Sequence, residues 1–359
     1  MTIRRTQRPV TKQEESESRQ FMFRSLHVET LGITGRQSEL IELALTYRFK
    51  GLDLDIETFA RQVESRGQEY ATRCLESAKN CPAGLQVGVW QLPLSWDADE
   101  TRIKEQMTRI PTLASVAKTI EASRCVTTLP AGSDALALNE NFDATASRLT
   151  EIGELLTPHG IRLGVGFNAA AKARSGMAHE FVSTAEALIT LLQSVRSENV
   201  GLYLDTWNWH LGGGTFEQLE KYGLDKLVAI SVADVPADST AESIDLNQRL
   251  LPDPSGVIPH ATWLDRLHEL EFDGPVTPEP HVSQYKGVTR DKIVQKAADA
   301  LRSVWPGADL LEEAAAEAAE AAAAEGENAE KPAAAKAGDD AKPAEAEKTA
   351  EAEKPAATT

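Results

Sequence analysis

From about residue 20 to 305, short apolar runs rich in β-branched and aromatic residues alternate with longer amphipathic stretches. The short runs predict strands at FRSLHVETL (23–31), GLDLDI (51–56), LQVGVWQL (85–92), RCVTTL (124–129), IRLGVGF (161–167), VGLYLDTW (200–207), LVAISVAD (227–234) and GPVTPEP (274–280). The stretches between them place apolar residues at i, i+3, i+4 and i+7. They predict helices over 38–48, 57–79, 101–120, 142–156, 184–195, 215–222, 261–270 and 291–304. Eight such pairs in strict alternation predict a single α/β domain, a (β/α)8 TIM barrel, because each parallel strand needs a crossover and the eighth helix closes the ring. A doubly wound open sheet would want a glycine-rich phosphate loop after its first strand. The only glycine run, Gly212–Gly214, follows strand six instead, where it reads as a loop opening a helix capped by Thr215. Pro111 lies inside the third predicted helix and is expected to kink or split it.

Composition divides the 359 residues into three parts. The first 22 residues are polar and acidic as well as basic, with no apolar core behind the early arginines. They read as a disordered arm rather than a secretory signal. Residues 23–307 hold the barrel. Residues 308–359 are dominated by Ala, Glu, Lys and Pro and carry 14 acidic residues against 5 lysines, so this segment holds −9 of the chain's −18 net charge. With almost nothing large and apolar to bury, it reads as a disordered acidic tail whose first part, 312–325, has strong helix propensity.

The acidic balance argues against nucleic acid or an anionic membrane as partner. No apolar run approaches the ~20 residues of a membrane helix, and a cytoplasmic protein is expected. Cys74, Cys81 and Cys125 show no C-x-x-C spacing and read as reduced thiols. Nothing in the sequence points to an organic cofactor or to an oligomeric state.

In such a barrel the carboxyl ends of the strands and the loops behind them form the active site. The polar residues there are His27 and Glu29, Asp53 and Asp55, Gln91, Asn168 with Lys172 and Arg174, Asp205 with Asn208 and His210, Ser231 and Asp234, Arg249, and Glu279 with His281. Alternation along strand six puts Tyr203, Asp205 and Trp207 on one face, and along strand eight Thr277, Glu279 and His281. Asp205 and Glu279 then converge as a pair for acid/base work or as oxygen ligands to a metal. The same two side chains have structural readings: Asp205 as a cap on the following backbone N–H groups, Glu279 as the partner of Arg249. His27 and Glu29 stand at alternate positions, which reads either as an interior pair or, the commoner outcome, as a core histidine with its hydrogen bonds satisfied.

The stretches RCVTTLPAGSD and ENFDATASRLTEIGELLTPHGIRLGVGF (within 124–167), NVGLYLDTWNWHLGGGT (199–215), and RLLPDPSGVIP with FDGPVTPEPH (within 249–281) resemble the sugar phosphate isomerase/epimerase group of xylose isomerase-like barrels. The resemblance runs over about residues 23–305. It implies a divalent cation, often Mn²⁺ or Mg²⁺, at the barrel mouth, carried by a Glu ending strand five, an Asp ending strand six, a His in strand seven and a Glu in strand eight. It also implies that the two Glu side chains move protons beside a sugar carbonyl. The strand-six and strand-eight positions are kept as Asp205 and Glu279, which the resemblance makes catalytic and metal-binding. The strand-five carboxylate position holds Gly166, the strand-seven histidine position holds Ser231, and the first His after the strand-six Asp is Asn208.

Two of four ligands are lost, and neither glycine nor a hydroxyl replaces a carboxylate or an imidazole well. A divalent cation is expected to bind weakly or not at all unless Asn168, His210, Asp234 or His281 turns inward. Two functions follow. One is a sugar or sugar-phosphate isomerase or epimerase with a reorganised site, in which Arg249, Lys172, His210 and Trp207 hold the substrate and the first two take its anionic group. The other is a catalytically lapsed barrel that binds a carbohydrate-like ligand or acts as a scaffold.

Overall fold

The computed structural model describes residues 22–80 and 84–308. Eight parallel strands close into a barrel in the order β1-β8-β7-β6-β5-β4-β3-β2. They are β1 Phe23–Leu26, β2 Gly51–Leu54, β3 Gln86–Gln91, β4 Arg124–Thr128, β5 Arg162–Gly166, β6 Val200–Asp205, β7 Leu227–Val232 and β8 Pro275–Pro278. The ring shuts where Phe23 pairs with Pro275. Each predicted strand is present, trimmed at its ends. The expected arm and tail lie outside the described residues, as does Cys81, except that Met22 and Ala308 are both packed in the core. Cys74 and Cys125 are free thiols. No helix among the described residues is long and apolar enough to cross a membrane.

The helices are α1 Gln37–Thr46, α2 Ile56–Arg66, α3 Gln68–Lys79, α4 Glu100–Thr119, α5 Leu138–Leu156, α6 Ala185–Ser194, α7 Thr206–Leu211, α8 Phe216–Tyr222, α9 His260–Glu269 and α10 Arg290–Val304. Three details depart from the sequence reading. The helix expected over 57–79 breaks into α2 and α3 at Gly67, whose φ of +83° no helical residue can take. Pro111 neither ends nor splits α4: an apolar stripe through Ile103, Met107, Ile110, Leu113, Ala114 and Ala117 stays buried across it. The proline's missing N–H leaves one helical bond unmade, which the packed face tolerates. Finally, strand six stops at Asp205, and the chain turns at once into α7, so Trp207 belongs to a helix. Alternation along a strand no longer places it. Thr215 caps α8 as expected, in a reciprocal pair with Gln218.

The main core lies between the strands and the surrounding helices, while inside the barrel Val89, Val126, Tyr203 and Ala229 form a separate packed layer. Above it the long β7–α9 connection, residues 233–259, folds back over the mouth. It is pinned by paired backbone bonds between Asp234 and Leu250, both 2.9 Å. The Asp234 carboxylate holds its far end, where Oδ1 accepts from the N–H groups of Val235 (2.8 Å), Val257 (3.1 Å) and Ile258 (3.2 Å). A Cβ on Gly256 would fall 1.6 Å from Asp234 Oδ2. Gly256→Ala must therefore dislodge this anchor, and a loss of about 2–4 kcal/mol in urea denaturation is expected; a change under about 0.5 kcal/mol would mean the loop is not held this way.

His260, at the start of α9, is buried with Nε2 3.1 Å from Thr206 Oγ1. Burial lowers it to about 4, so it folds as the neutral imidazole. A depressed histidine contributes stability above its unfolded value near 6.5, and that contribution is lost as pH falls through 4. Stability should therefore drop between pH 6.5 and 4 by an amount of order 2–3 kcal/mol from this group. In His260→Gln, chemical denaturation across that range should show a correspondingly shallower slope.

Candidate functional site at the barrel mouth

Strand register sets the site. Asp205 at the end of β6 is level with Ser231 on β7, which is level with Thr277 on β8; Glu279 follows one layer above. On the other side Gly164 and Val165 pair with Gly201 and Leu202, so Gly166 stands beside Tyr203. A Cβ added at Gly166 would meet Tyr203 Cδ1 at 3.1 Å. The tyrosine ring thus borders the space in which a strand-five carboxylate would have to sit.

Asp205 and Glu279 do converge, and a third predicted residue joins them. Arg249 arrives from the β7–α9 connection with Nη1 2.8 Å from Asp205 Oδ2 and Nη2 3.9 Å from Glu279 Oε2, while its Nε donates to the Glu279 carbonyl oxygen at 3.0 Å. The guanidinium carbon lies 5.1 Å from the Trp207 ring centroid. The Arg249 carbonyl accepts from His281 N–H at 3.0 Å. These bonds fix the cation between the carboxylates.

The remaining oxygens are also engaged. Asp205 Oδ1 accepts from the N–H groups of Trp207 (3.0 Å) and Asn208 (3.2 Å), capping α7, and its Oδ2 also accepts from Asn208 Nδ2 at 2.7 Å. Asn208 Oδ1 in turn accepts from Ala169 N–H at 2.9 Å. Glu279 Oε1 is 2.7 Å from His27 Nδ1, and its Oε2 accepts from the Tyr203 hydroxyl at 3.0 Å. Both structural readings of the two carboxylates are therefore present in the same cluster.

Electrostatics follow from this packing. Burial alone would raise the Glu279 carboxyl, but the His27 bond, the Arg249 charge and the Tyr203 hydroxyl hold it below its usual range. Burial would lower His27, yet the Glu279 bond and the charges of Glu279, Asp53 and Glu29 lift it to about 9, so it is an imidazolium at neutral pH. Burial, helped by Glu279 and Asp205, pushes the Tyr203 phenol well above its ordinary value. Two anions thus face two cations and a neutral hydroxyl.

The side chains expected as substitutes are turned elsewhere. Asn168 donates to the Leu129 carbonyl at 3.0 Å. Asp234 anchors its loop, and His281 caps the turn at Val282–Tyr285 through Ser283. His210 sits half-buried on α7, lowered by burial despite the Asp234 charge. Lys172 pairs with Asp245 on exposed loops, and Arg174 with Glu180. Of the residues expected to hold substrate, Arg249 and Trp207 meet at the centre, whereas Lys172 and His210 make no contact with it.

For two participants the sequence shows the residue but not its partner. His27 was paired with Glu29 in sequence but bonds Glu279, 252 positions away, across the β1–β8 closure. Tyr203 stands in the sequence only as a face-mate of Asp205; a glycine level with a tyrosine on the neighbouring strand is the available signal.

The donor set does not fit a divalent cation. Metal–oxygen bonds of about 2.0–2.6 Å to both carboxylates would place the ion where the guanidinium stands. Among the described residues no three His, Cys, Asp or Glu side chains converge to hold one.

A closed eight-stranded barrel whose mouth keeps a strand-six aspartate and a strand-eight glutamate defines the class as a xylose isomerase-like TIM barrel. The family model for that barrel matches residues 30–304, and the chain belongs to this family. An inosose isomerase from Halalkalibacterium halodurans is 23% identical over 201 residues, 56% of this chain and 68% of the relative. The fold is shared with a xylose isomerase domain protein from Alicyclobacillus acidocaldarius (TM-score 0.69, 20% identity, 80% of this chain and 99% of the other). It is also shared with an IOLI protein with a binding zinc atom (TM-score 0.66, 18% identity, 79% and 98%).

Proposed function

We propose that this chain binds a carbohydrate-like ligand at the barrel mouth without a divalent metal, and that it does not carry out metal-assisted proton transfer beside a sugar carbonyl. The observation that carries this reading is the Arg249 guanidinium held between Asp205 and Glu279. The family and the inosose isomerase relatives support a sugar-like or cyclitol-like ligand class. The local chemistry argues against isomerase turnover: Gly166 supplies no acid or base, and Glu279 is a weak base while it accepts from His27 and Tyr203. Asp205 and Glu279 then act as the frame that orients Arg249, Asn208 and His27 around a ligand's hydroxyl groups.

Calorimetry of the full chain with D-glucose, D-fructose and myo-inositol, in EDTA and again with Mn²⁺, tests this. At least one of these probes should bind with an affinity that EDTA does not change. Binding seen only with Mn²⁺, or Mn²⁺-dependent interconversion of glucose and fructose, would contradict it.

A further inference from the structure

We infer that the mouth contains a subsite for an ammonium group, formed by Asp53 and Glu29, so that the ligand is an amino sugar or a similar polyol amine rather than a sugar phosphate. This rests on the sugar-binding reading above and names its ligand class. A cavity of about 530 Å³ opens at the carboxyl ends of β1–β3, with His27, Glu29, Asp53, Asp55 and Gln91 in its wall. Asp53 is the unusual member. Its side chain is only 3% exposed, and Oδ1 accepts from Ser25 Oγ at 2.6 Å and from Val89 N–H at 3.0 Å. Oδ2 accepts no hydrogen bond at all. His27 Nδ1 is 3.9 Å away, with its bond directed to Glu279 instead.

A buried carboxylate oxygen left without a donor is costly, and a cavity beside it invites a donor from outside. Burial pushes Asp53 up to about 6, a penalty that a ligand cation would relieve. Glu29 adds an exposed carboxylate two residues beyond His27. Asp55 is less available, since it caps α2 through Thr58 N–H. The basic side chains around the mouth point the same way. Lys172 pairs with Asp245, Arg174 with Glu180 and Arg249 with Asp205, so each would have to abandon a carboxylate to receive a phosphate; Arg36, at the cavity's exposed edge, has only a 3.9 Å contact with Glu39.

The test is calorimetry of the full chain at pH 7 with D-glucosamine, D-galactosamine and D-mannosamine, each against its neutral parent hexose, its N-acetylated form and its 6-phosphate. At least one free amine should bind at least about tenfold tighter than its parent and its N-acetylated form, with the 6-phosphate weakest. Asp53→Asn should remove that preference, and Glu29→Gln, at an exposed position, should reduce it about threefold. Should Asp53→Asn fail to fold, Glu29→Gln and the N-acetyl comparison carry the test. Equal binding of amine and parent, or a 6-phosphate that binds tightest, overturns the ammonium subsite alone. Failure of every sugar, charged or neutral, overturns the sugar reading and this inference with it.

Discussion

Replacing Arg249 with leucine should destabilise the folded chain by about 3–5 kcal/mol, because two carboxylates that are each about 12% exposed lose the cation between them. The expected loss comes less from the ion pair itself than from the uncompensated charge left behind. Removing the charges together should therefore recover much of it. Urea denaturation of Arg249→Leu, Asp205→Asn and the combined variant gives the coupling. The combined variant should be more stable than Arg249→Leu alone, with an interaction term above about 1.5 kcal/mol. Simple additivity would place Arg249 at the rim, exchanging with water, and would remove it from the centre of the site.

The second large effect concerns the lost ligands. Gly166→Glu with Ser231→His restores the family's four donor types, yet the double variant should gain no Mn²⁺ binding. The new Cβ at 166 would press on Tyr203 at 3.1 Å, and Arg249 would still occupy Asp205. Adding Tyr203→Ala and Arg249→Leu clears both obstacles. Binding of Mn²⁺ by the fourfold variant should exceed that of the double variant by at least about a hundredfold, read by calorimetry. Strong binding by the double variant would show that arginine and tyrosine yield easily, and that the wild-type cluster is a soft arrangement around an open metal position.

What could be read from the sequence, and what could not, follows from the range of the interactions. The eight strands and the crossover helices are written in local apolar periodicity, and they were legible. The convergence of Asp205 and Glu279 followed from barrel geometry alone. The pairing of Arg249 with Glu279 was legible as one reading, but its shorter bond to Asp205 was not, because Arg249 lies in a connection of irregular structure whose path is set by tertiary bonds: the Asp234–Leu250 bridge and the three N–H groups gathered by Asp234. The partner of His27 depends on closure between the first and last strands. Helix α7 is not legible in the sequence because TWNWHL reads as an aromatic strand end. Its start is dictated by Asp205 turning its carboxylate to the Trp207 and Asn208 N–H groups. Gly67 shows the opposite case, a local signal strong enough to divide a helix that periodicity joined.

The absence of a strand-five carboxylate and the presence of an internal cation bear on the same charge balance. With Gly166 and Ser231 in place, Asp205 and Glu279 would be two buried anions without a counter-charge, an arrangement that costs several kcal/mol. Arg249 and the His27 imidazolium restore neutrality from within the chain, and the barrel keeps a polar, preorganised mouth.

The most direct measurement is elemental analysis of metal in the full chain purified without chelator, paired with calorimetric titration of Mn²⁺, Mg²⁺ and Zn²⁺ into the same sample. The expected result is well under about 0.1 equivalent of any divalent metal and no saturable heat at millimolar concentrations. About one equivalent per chain, abolished by Asp205→Ala or Glu279→Ala, would contradict it.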